Sequence, residues 1–155
     1  MAFSICSDTL GRPRRFPCAL ARLSPARLPA SWADALLEPS PRKLGLVAEP
    51  VRQPDRIVAL ADYTVSADEE VAEVGLVVDD AWQHNGLGRT IFNRLLALGE
   101  SRGIRLFVAY VHWNNLRVIR ALDRIATVID RVVEAPVLKF TFTRRLEVGE
   151  VHGVR

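Results

Sequence analysis

Lysine is almost missing from this chain: only Lys43 and Lys139 occur, so all but two of its 21 basic residues are arginines. Histidine (three), cysteine (two) and methionine (one) are also sparse. Cys6 and Cys18 have no Cys or His companion at metal-ligand spacing, and two cysteines in 155 residues do not make a disulfide framework. No metal is expected, and a reducing cytoplasm is the default location. No apolar run approaches the ~18 residues that would suggest a membrane span, so no membrane partner is expected. The 18 acidic residues are interspersed among the basic ones, and no stripe of aromatic and basic side chains marks a nucleic-acid surface. A net charge of +3 leaves a mild preference for anionic ligands.

What is present fits one globular domain, with 49% hydrophobic and 25% charged residues. Residues 1–43 read as an arginine- and proline-rich arm with possible short helices. Its first 33 residues carry five arginines and a single acid, Asp8. Such a composition also suits a transit peptide, but MAFSICSDTLGRPRRF lacks clean amphipathic periodicity and has no secretory apolar core. The main domain is expected over residues 44–147, with a short tail at 148–155.

Within that domain LGLVAEP (44–50) and RIVALADYTV (56–65) read as strands, and SADEE (66–70) as a polar turn. VAEVGLVV (71–78) is a third strand with a continuous apolar face, Ala72, Val74, Leu76 and Val78, and an opposite face interrupted by Glu73 and Gly75. The connections are too short for parallel crossovers, so these three form an antiparallel meander. Ile91, Phe92, Leu95 and Leu98 then recur at helical spacing, predicting a helix from about Gly88 to Gly99 or Gly103. A strand over 105–111 follows. A helix over 114–126 is next, with Asn114 or Asn115 able to cap it. ATVIDRVV and PVLKFTFTRR close the domain as strands. The order predicts a mixed α/β sheet.

WQHNGLGR (82–89) places two glycines between the third strand and the first helix. Glycine can take left-handed conformations and lets a ligand approach the backbone, while the helix N-terminus presents N–H groups and a positive dipole end. The site suits a phosphate, although a glycine-rich turn serving geometry alone would look the same. A Walker loop lacks its Lys-Ser/Thr at the right spacing here, and only G-x-G of the dinucleotide fingerprint is present.

VVDDAWQHNGLGRTIFNRLL resembles the pyrophosphate-binding motif of the GNAT superfamily of acyl-CoA-dependent N-acyltransferases, Val-x-Asp-x-x-x-Gln/Arg-x-x-Gly-x-Gly/Ala, with the strand before it and the helix after it. The likeness continues through RGIRLFVAYVHWNNLRVIRALDRI and covers residues 56 to about 125. It implies a mostly antiparallel sheet flanked by helices, in which two adjacent parallel strands, here 71–78 and 105–111, splay apart to hold the cofactor. It further implies acetyl-CoA or another acyl-CoA as co-substrate and no metal. The acceptor would be a primary amine of a small molecule or of a protein lysine or N-terminus; self-association into a homodimer is left open. By the same resemblance, Leu76, Val77 and Val78 would hold the pantetheine arm and acyl carbonyl. Gln83, His84, Asn85, Gly86, Leu87, Gly88, Arg89 and Thr90 would surround the pyrophosphate, and Asn115 would lie near the thiol end.

An alkylammonium acceptor is not nucleophilic until it loses a proton, so a base is needed. Glu73, midway along the third strand, is the candidate; a carboxylate on a wet face, or an arginine's partner, would read alike. Glu69 and Glu70 belong to the turn, and His84 and His112 are not read as catalytic. Trp82 and Trp113 read as packing or loop anchors. Two departures from the family pattern stand out. The tyrosine that serves many members as general acid is replaced by Leu122, and the usual Gly-Phe closing that helix is Ala126-Thr127. A catalytically silent acyl-CoA-binding module is the alternative these departures raise.

Overall fold

The structure, a computed structural model, describes residues 3–6, 42–52, 56–67 and 70–145. One seven-stranded sheet contains β1 (Phe3–Cys6), β2 (Lys43–Pro50), β3 (Ala59–Val65), β4 (Val71–Val78), β5 (Leu106–His112), β6 (Ala126–Glu134) and β7 (Val137–Arg144). Their spatial order is β1-β2-β3-β4-β5-β7-β6. Helix α1 (Leu87–Ser101) joins β4 to β5, and helix α2 (Leu116–Ile125) joins β5 to β6. Every neighbouring pair is antiparallel except β4 and β5, the pair that α1 bridges as a crossover. The mixed, mostly antiparallel sheet is the one expected.

The arm expected over residues 1–43 contributes one strand to the sheet. Phe3–Cys6 form an edge strand on β2, with Phe3 opposite Pro50 and Cys6 opposite Val47. Four residues are too few to show an alternation, and their pairing partner lies some forty residues away. Residues 7–41 of the arm, with Cys18 and Trp32, lie outside the described residues, as does the tail.

Helix α1 explains the core. Leu87, Ile91, Phe92, Leu95 and Leu96 fall on one face at a 3.6-residue period and are buried. They meet the face of the sheet that carries Tyr63, Ala72, Val74, Phe107, Phe140 and Phe142. Each large side chain buried in this way contributes about 1.5–3 kcal/mol. Gly99 lets helix and sheet approach, since a Cβ there would stand 2.9 Å from the Phe107 ring. The helix passes through Gly99 and stops at Gly103, whose φ of +89° belongs to the left-handed region, with Ile104 N–H returning to the Gly99 carbonyl at 3.1 Å. Glu100 holds Arg144 of β7 at 2.7 Å, fixing the helix end to the sheet.

Opposed residues on paired strands share a face. Lys43, Thr64, Glu73 and Val108 therefore form one row across the other face, and Gly45, Asp62 and Gly75 form the next.

Candidate active site

β4 and β5 begin side by side and then part. They pair only through Val71 with Leu106, Ala72 with Phe107 and Glu73 with Val108, although β4 continues to Val78 and β5 to His112. Peptide groups along a strand point alternately to its two neighbours. Glu70 turns its carbonyl to β5, accepting from Arg105 and Leu106 at 2.8 and 3.1 Å, whereas Asp79 N–H goes to Val58 on the β3 side at 2.8 Å. Leu76 and Val78 share the parity of Glu70, so their N–H and C=O groups face the split. Polar backbone turned toward a gap requires a partner. The Val78 carbonyl receives the Gln83 side-chain amide at 3.0 Å.

Beyond β4, Asp79 caps a single 3-10 turn over Asp80–Trp82, accepting from Ala81 N–H at 2.9 Å. The turn into α1 contains two left-handed residues, His84 at φ +66° and Gly86 at φ +86°. The sequence reading assigned that freedom to Gly86 and Gly88. Gly88 instead lies inside the first turn of α1, where its service is close packing: a Cβ would come 3.3 Å from Val78 Cγ2. His84 carries the second positive φ, which costs a residue with a Cβ about 1–2 kcal/mol. Nothing lies within 4 Å of where a Gly86 Cβ would stand, so the backbone there is open to approach. No side chain on Gly86 caps the helix. The N-terminus of α1, with its positive dipole end, thus stands at the split.

The resulting cleft has a volume of about 490 Å³. Leu76, Val77 and Val78 line it from β4, Gln83, His84, Gly86, Gly88 and Arg89 from the turn and helix start, and Asn115 from the opposite side. Three other residues expected there have side chains engaged within the protein. Leu87 is buried in the core, Asn85 accepts the Leu87 N–H through Oδ1 at 3.1 Å, and the Thr90 hydroxyl donates to the Gly86 carbonyl at 3.1 Å. Asn115, not Asn114, caps α2, accepting Val118 N–H at 3.3 Å, while Asn114 Oδ1 pairs with His112 Nδ1 at 2.7 Å.

Helix α2 supplies a wall that sequence reasoning missed: Arg117, Val118, Ala121, Arg124 and Ile125. Their spacing is that of one helical face, and that period, counted from Asn115, was the available signal. Leu122 points elsewhere; it is 2% exposed and belongs to the hydrophobic core. Trp82 packs against that core, whereas Trp113 is exposed beside His112, so of these two only Trp82 is a packing anchor.

Glu73 occupies the last paired position of β4, at the root of the split, and is half-buried on the face away from α1. Diagonal to it on β3 stands Asp62, the one charged side chain buried among the described residues. Burial, then the Glu73 carboxylate, raise the Asp62 pKa from 3.8 to about 7, with Lys43 acting in the opposite direction. Asp62 was also missed: the run ALADYTV gives no hint of what lies beside it on β2 and β4. Among the described residues no group of three or more His, Cys, Asp or Glu side chains could hold a metal ion, and no helix is long and apolar enough to cross a membrane.

The geometry can be set beside known proteins. No curated protein matches the chain. Among solved structures, the GNAT domain of S. lividans PAT is 26% identical, with a TM-score of 0.65 over 75% of this chain and 69% of that chain. yncA from Salmonella typhimurium, solved with its cofactor acetyl-CoA, is 21% identical, with a TM-score of 0.56 over 73% and 68%. A chimera of the spermidine N-acetyltransferase SpeG from Vibrio cholerae and hSSAT is 15% identical, with a TM-score of 0.58 over 68% of each chain. The last two are likenesses of fold. The model of the acetyltransferase (GNAT) family matches residues 14–126, well over half of the sequence and the whole of the split, turn and α2 wall just described. By that match the chain belongs to the acetyltransferase (GNAT) family.

Proposed function

We propose that this protein transfers an acetyl group from acetyl-CoA to the primary amine of a small molecule or a protein. One observation carries the reading: a parallel strand pair that stops after three residues and leaves the main-chain groups of Leu76 and Val78 facing a cleft at the start of a helix. An extended pantetheine with two amides suits such an edge as an added strand would. The turn suits the diphosphate, because a side chain is absent at Gly86 and could not fit freely at Gly88. Arg89, Arg117 and Arg124 add positive charge to the same cleft.

Bound there, acetyl-CoA supplies an activated acyl carbonyl. The residues of the chain do the rest. Leu76 and Val78 orient the thioester through main-chain groups, and an N–H aimed at the carbonyl oxygen stabilises negative charge as it develops. Glu73, at the root of the split, accepts a proton from the acceptor's ammonium, directly or through water, and frees the lone pair for attack. With Leu122 in the core, α2 offers no hydroxyl from that position to the leaving sulfur. The thiolate of a thiol with a pKa near 8.5 departs without strong assistance and takes its proton from solvent, so the reaction does not depend on one.

The test has two stages. Calorimetry and thermal unfolding with acetyl-CoA come first; no binding at saturating concentration overturns the reading. Thiol release with a panel of amines comes second, and binding without release identifies a silent acyl-CoA-binding module. Glu73→Gln is expected to lower kcat about a hundredfold and to leave acetyl-CoA affinity unchanged.

A further inference from the structure

Asp62 is a residue the proposed mechanism does not use, and the fold gains nothing obvious from it. It is 6% exposed, and among the described residues no side chain hydrogen-bonds its carboxyl. A buried carboxylate without such a partner works against folding whenever it is ionised. Nearby positions could accept an apolar residue, since Ala59, Leu60, Ala61 and Tyr63 on the same strand are all buried hydrophobics. Its surroundings are specific. On its own face Asp62 is flanked by Gly45 on β2 and Gly75 on β4, so no side chain from either opposed position separates it from the next row. In that row stands Glu73, opposite Thr64. Diagonal neighbours of this kind lie roughly 7–8 Å apart. Among the described residues the charged groups acting on Asp62 are Glu73 from β4 and, more weakly, Lys43 from β2.

From this arrangement we infer that Asp62 is a positioning residue for the acceptor: a buried carboxyl behind Glu73 that selects cationic amines by strengthening the negative field where the ammonium meets Glu73. The inference rests on the acetyl-transfer reading and adds to it a residue, Asp62, whose charge favours the alkylammonium acceptor of that reading over neutral aromatic amines. Asp62 touches neither acceptor nor thioester. It acts through the charge of the site, and glycines at the two flanking positions keep that field unobstructed. Burial, and then the Glu73 carboxylate, raise the Asp62 pKa to about 7, so the group is about half protonated at neutral pH. An arriving cation offsets the repulsion between the two carboxylates and draws Asp62 into its ionised form. Acceptor binding is therefore coupled to release of a proton.

Asp62→Asn keeps the shape and removes the charge. With n-butylamine, 1,4-diaminobutane and a lysine-containing tripeptide as acceptors, the variant is expected to lose about tenfold in kcat/KM at pH 8.5, chiefly through a higher KM. At pH 6, where the native Asp62 is itself neutral, the two proteins converge. Aniline, uncharged throughout, is expected to react equally with both. The variant's Tm rises relative to the native protein as the pH is raised. A loss of activity that is the same at all pH values, or that accompanies a lower Tm at pH 8.5, marks Asp62 as merely structural and overturns the proposal. A second measurement does not depend on turnover. Carbon-13 NMR titration of the Asp62 carboxyl in native and Glu73→Gln protein is expected to show a lower midpoint in the variant; an unchanged midpoint refutes the coupling. Should acetyl-CoA bind while no amine reacts, the acetyl-transfer reading is the one that has failed, and the titration still decides the fate of the Asp62–Glu73 pair.

Discussion

Arg117, one residue into α2, donates from Nη1 to the Oε1 of Gln83 at 2.7 Å and so spans the mouth of the cleft. The same glutamine donates from Nε2 to the Val78 carbonyl at 3.0 Å and to Asp80 Oδ1 at 2.7 Å. One amide side chain thereby ties the end of β4, the turn after it and the opposite helix. Replacing Arg117 by alanine removes a charge-assisted bond at a solvent-accessible place, worth about 1 kcal/mol. Acetyl-CoA is expected to bind about fivefold more weakly to Arg117→Ala by calorimetry, with Tm little changed. Equal affinities would show that the bridge does not shape the cleft.

Gly86 and Gly88 should respond differently to the same methyl group. At Gly86 the space is empty but φ is +86°, so Gly86→Ala costs about 1 kcal/mol of backbone strain and adds no clash. At Gly88 the backbone is helical, which favours alanine by about 1 kcal/mol, but the new Cβ would press on Val78 Cγ2 at 3.3 Å. Gly88→Val adds two more carbons at the wall of the cleft and is expected to lose 1–3 kcal/mol to overpacking together with most of the acetyl-CoA affinity. Denaturant unfolding and calorimetry on the three variants separate these outcomes. If Gly86→Ala proved the most disruptive to binding, Gly88 would not be the point of close approach.

The stability of the fold should carry the signature of Asp62. Its folded-state pKa, raised to about 7 by burial and then by Glu73, exceeds the ordinary 3.8, so between those values the native state keeps a proton that the unfolded chain has released. Stability from this group is complete below about pH 4 and is lost as pH rises through about 7, by about 4 kcal/mol at most. Asp62→Asn removes that slope. The difference in unfolding free energy between variant and native protein is expected to grow from pH 4 to pH 8 in the variant's favour; a flat difference would mean that Asp62 titrates in the folded state much as it does in the unfolded one.

These expectations draw unequally on the sequence. The strands from β2 onward and both helices announce themselves through alternation, helical period and caps, because those signals are local. Gly86 and Gly88 were recognisable as a turn into a helix for the same reason. Their separate duties were not, since the packing of Gly88 on Val78 joins residues on different elements. The split was inferred from resemblance alone: an apolar run such as VAEVGLVV reads the same whether or not β5 lies beside it. Asp62 was invisible for a related cause, because its meaning comes from Gly45 on β2, Gly75 and Glu73 on β4, and their register with β3. β1 was missed because four residues hold too little periodicity to stand out.

Leu122 offers a last test of how helix α2 meets the cleft. A tyrosine at this place would restore the general acid that the resemblance to the family implies, so Leu122→Tyr invites the expectation of faster transfer. The packing argues otherwise. Leu122 is 2% exposed and lies in the same buried cluster as Ile91, Phe92 and Phe142, while the cleft is faced by Val118, Ala121 and Ile125 of the same helix. A phenol there must displace core side chains and bury a hydroxyl, so Leu122→Tyr is expected to lower stability by about 1–3 kcal/mol and to leave kcat no higher than in the native protein. Thermal unfolding and thiol-release kinetics on one preparation decide the matter. A faster enzyme with an unchanged Tm would mean that α2 turns this position toward the split in solution, and that the substitution to leucine removed a working acid.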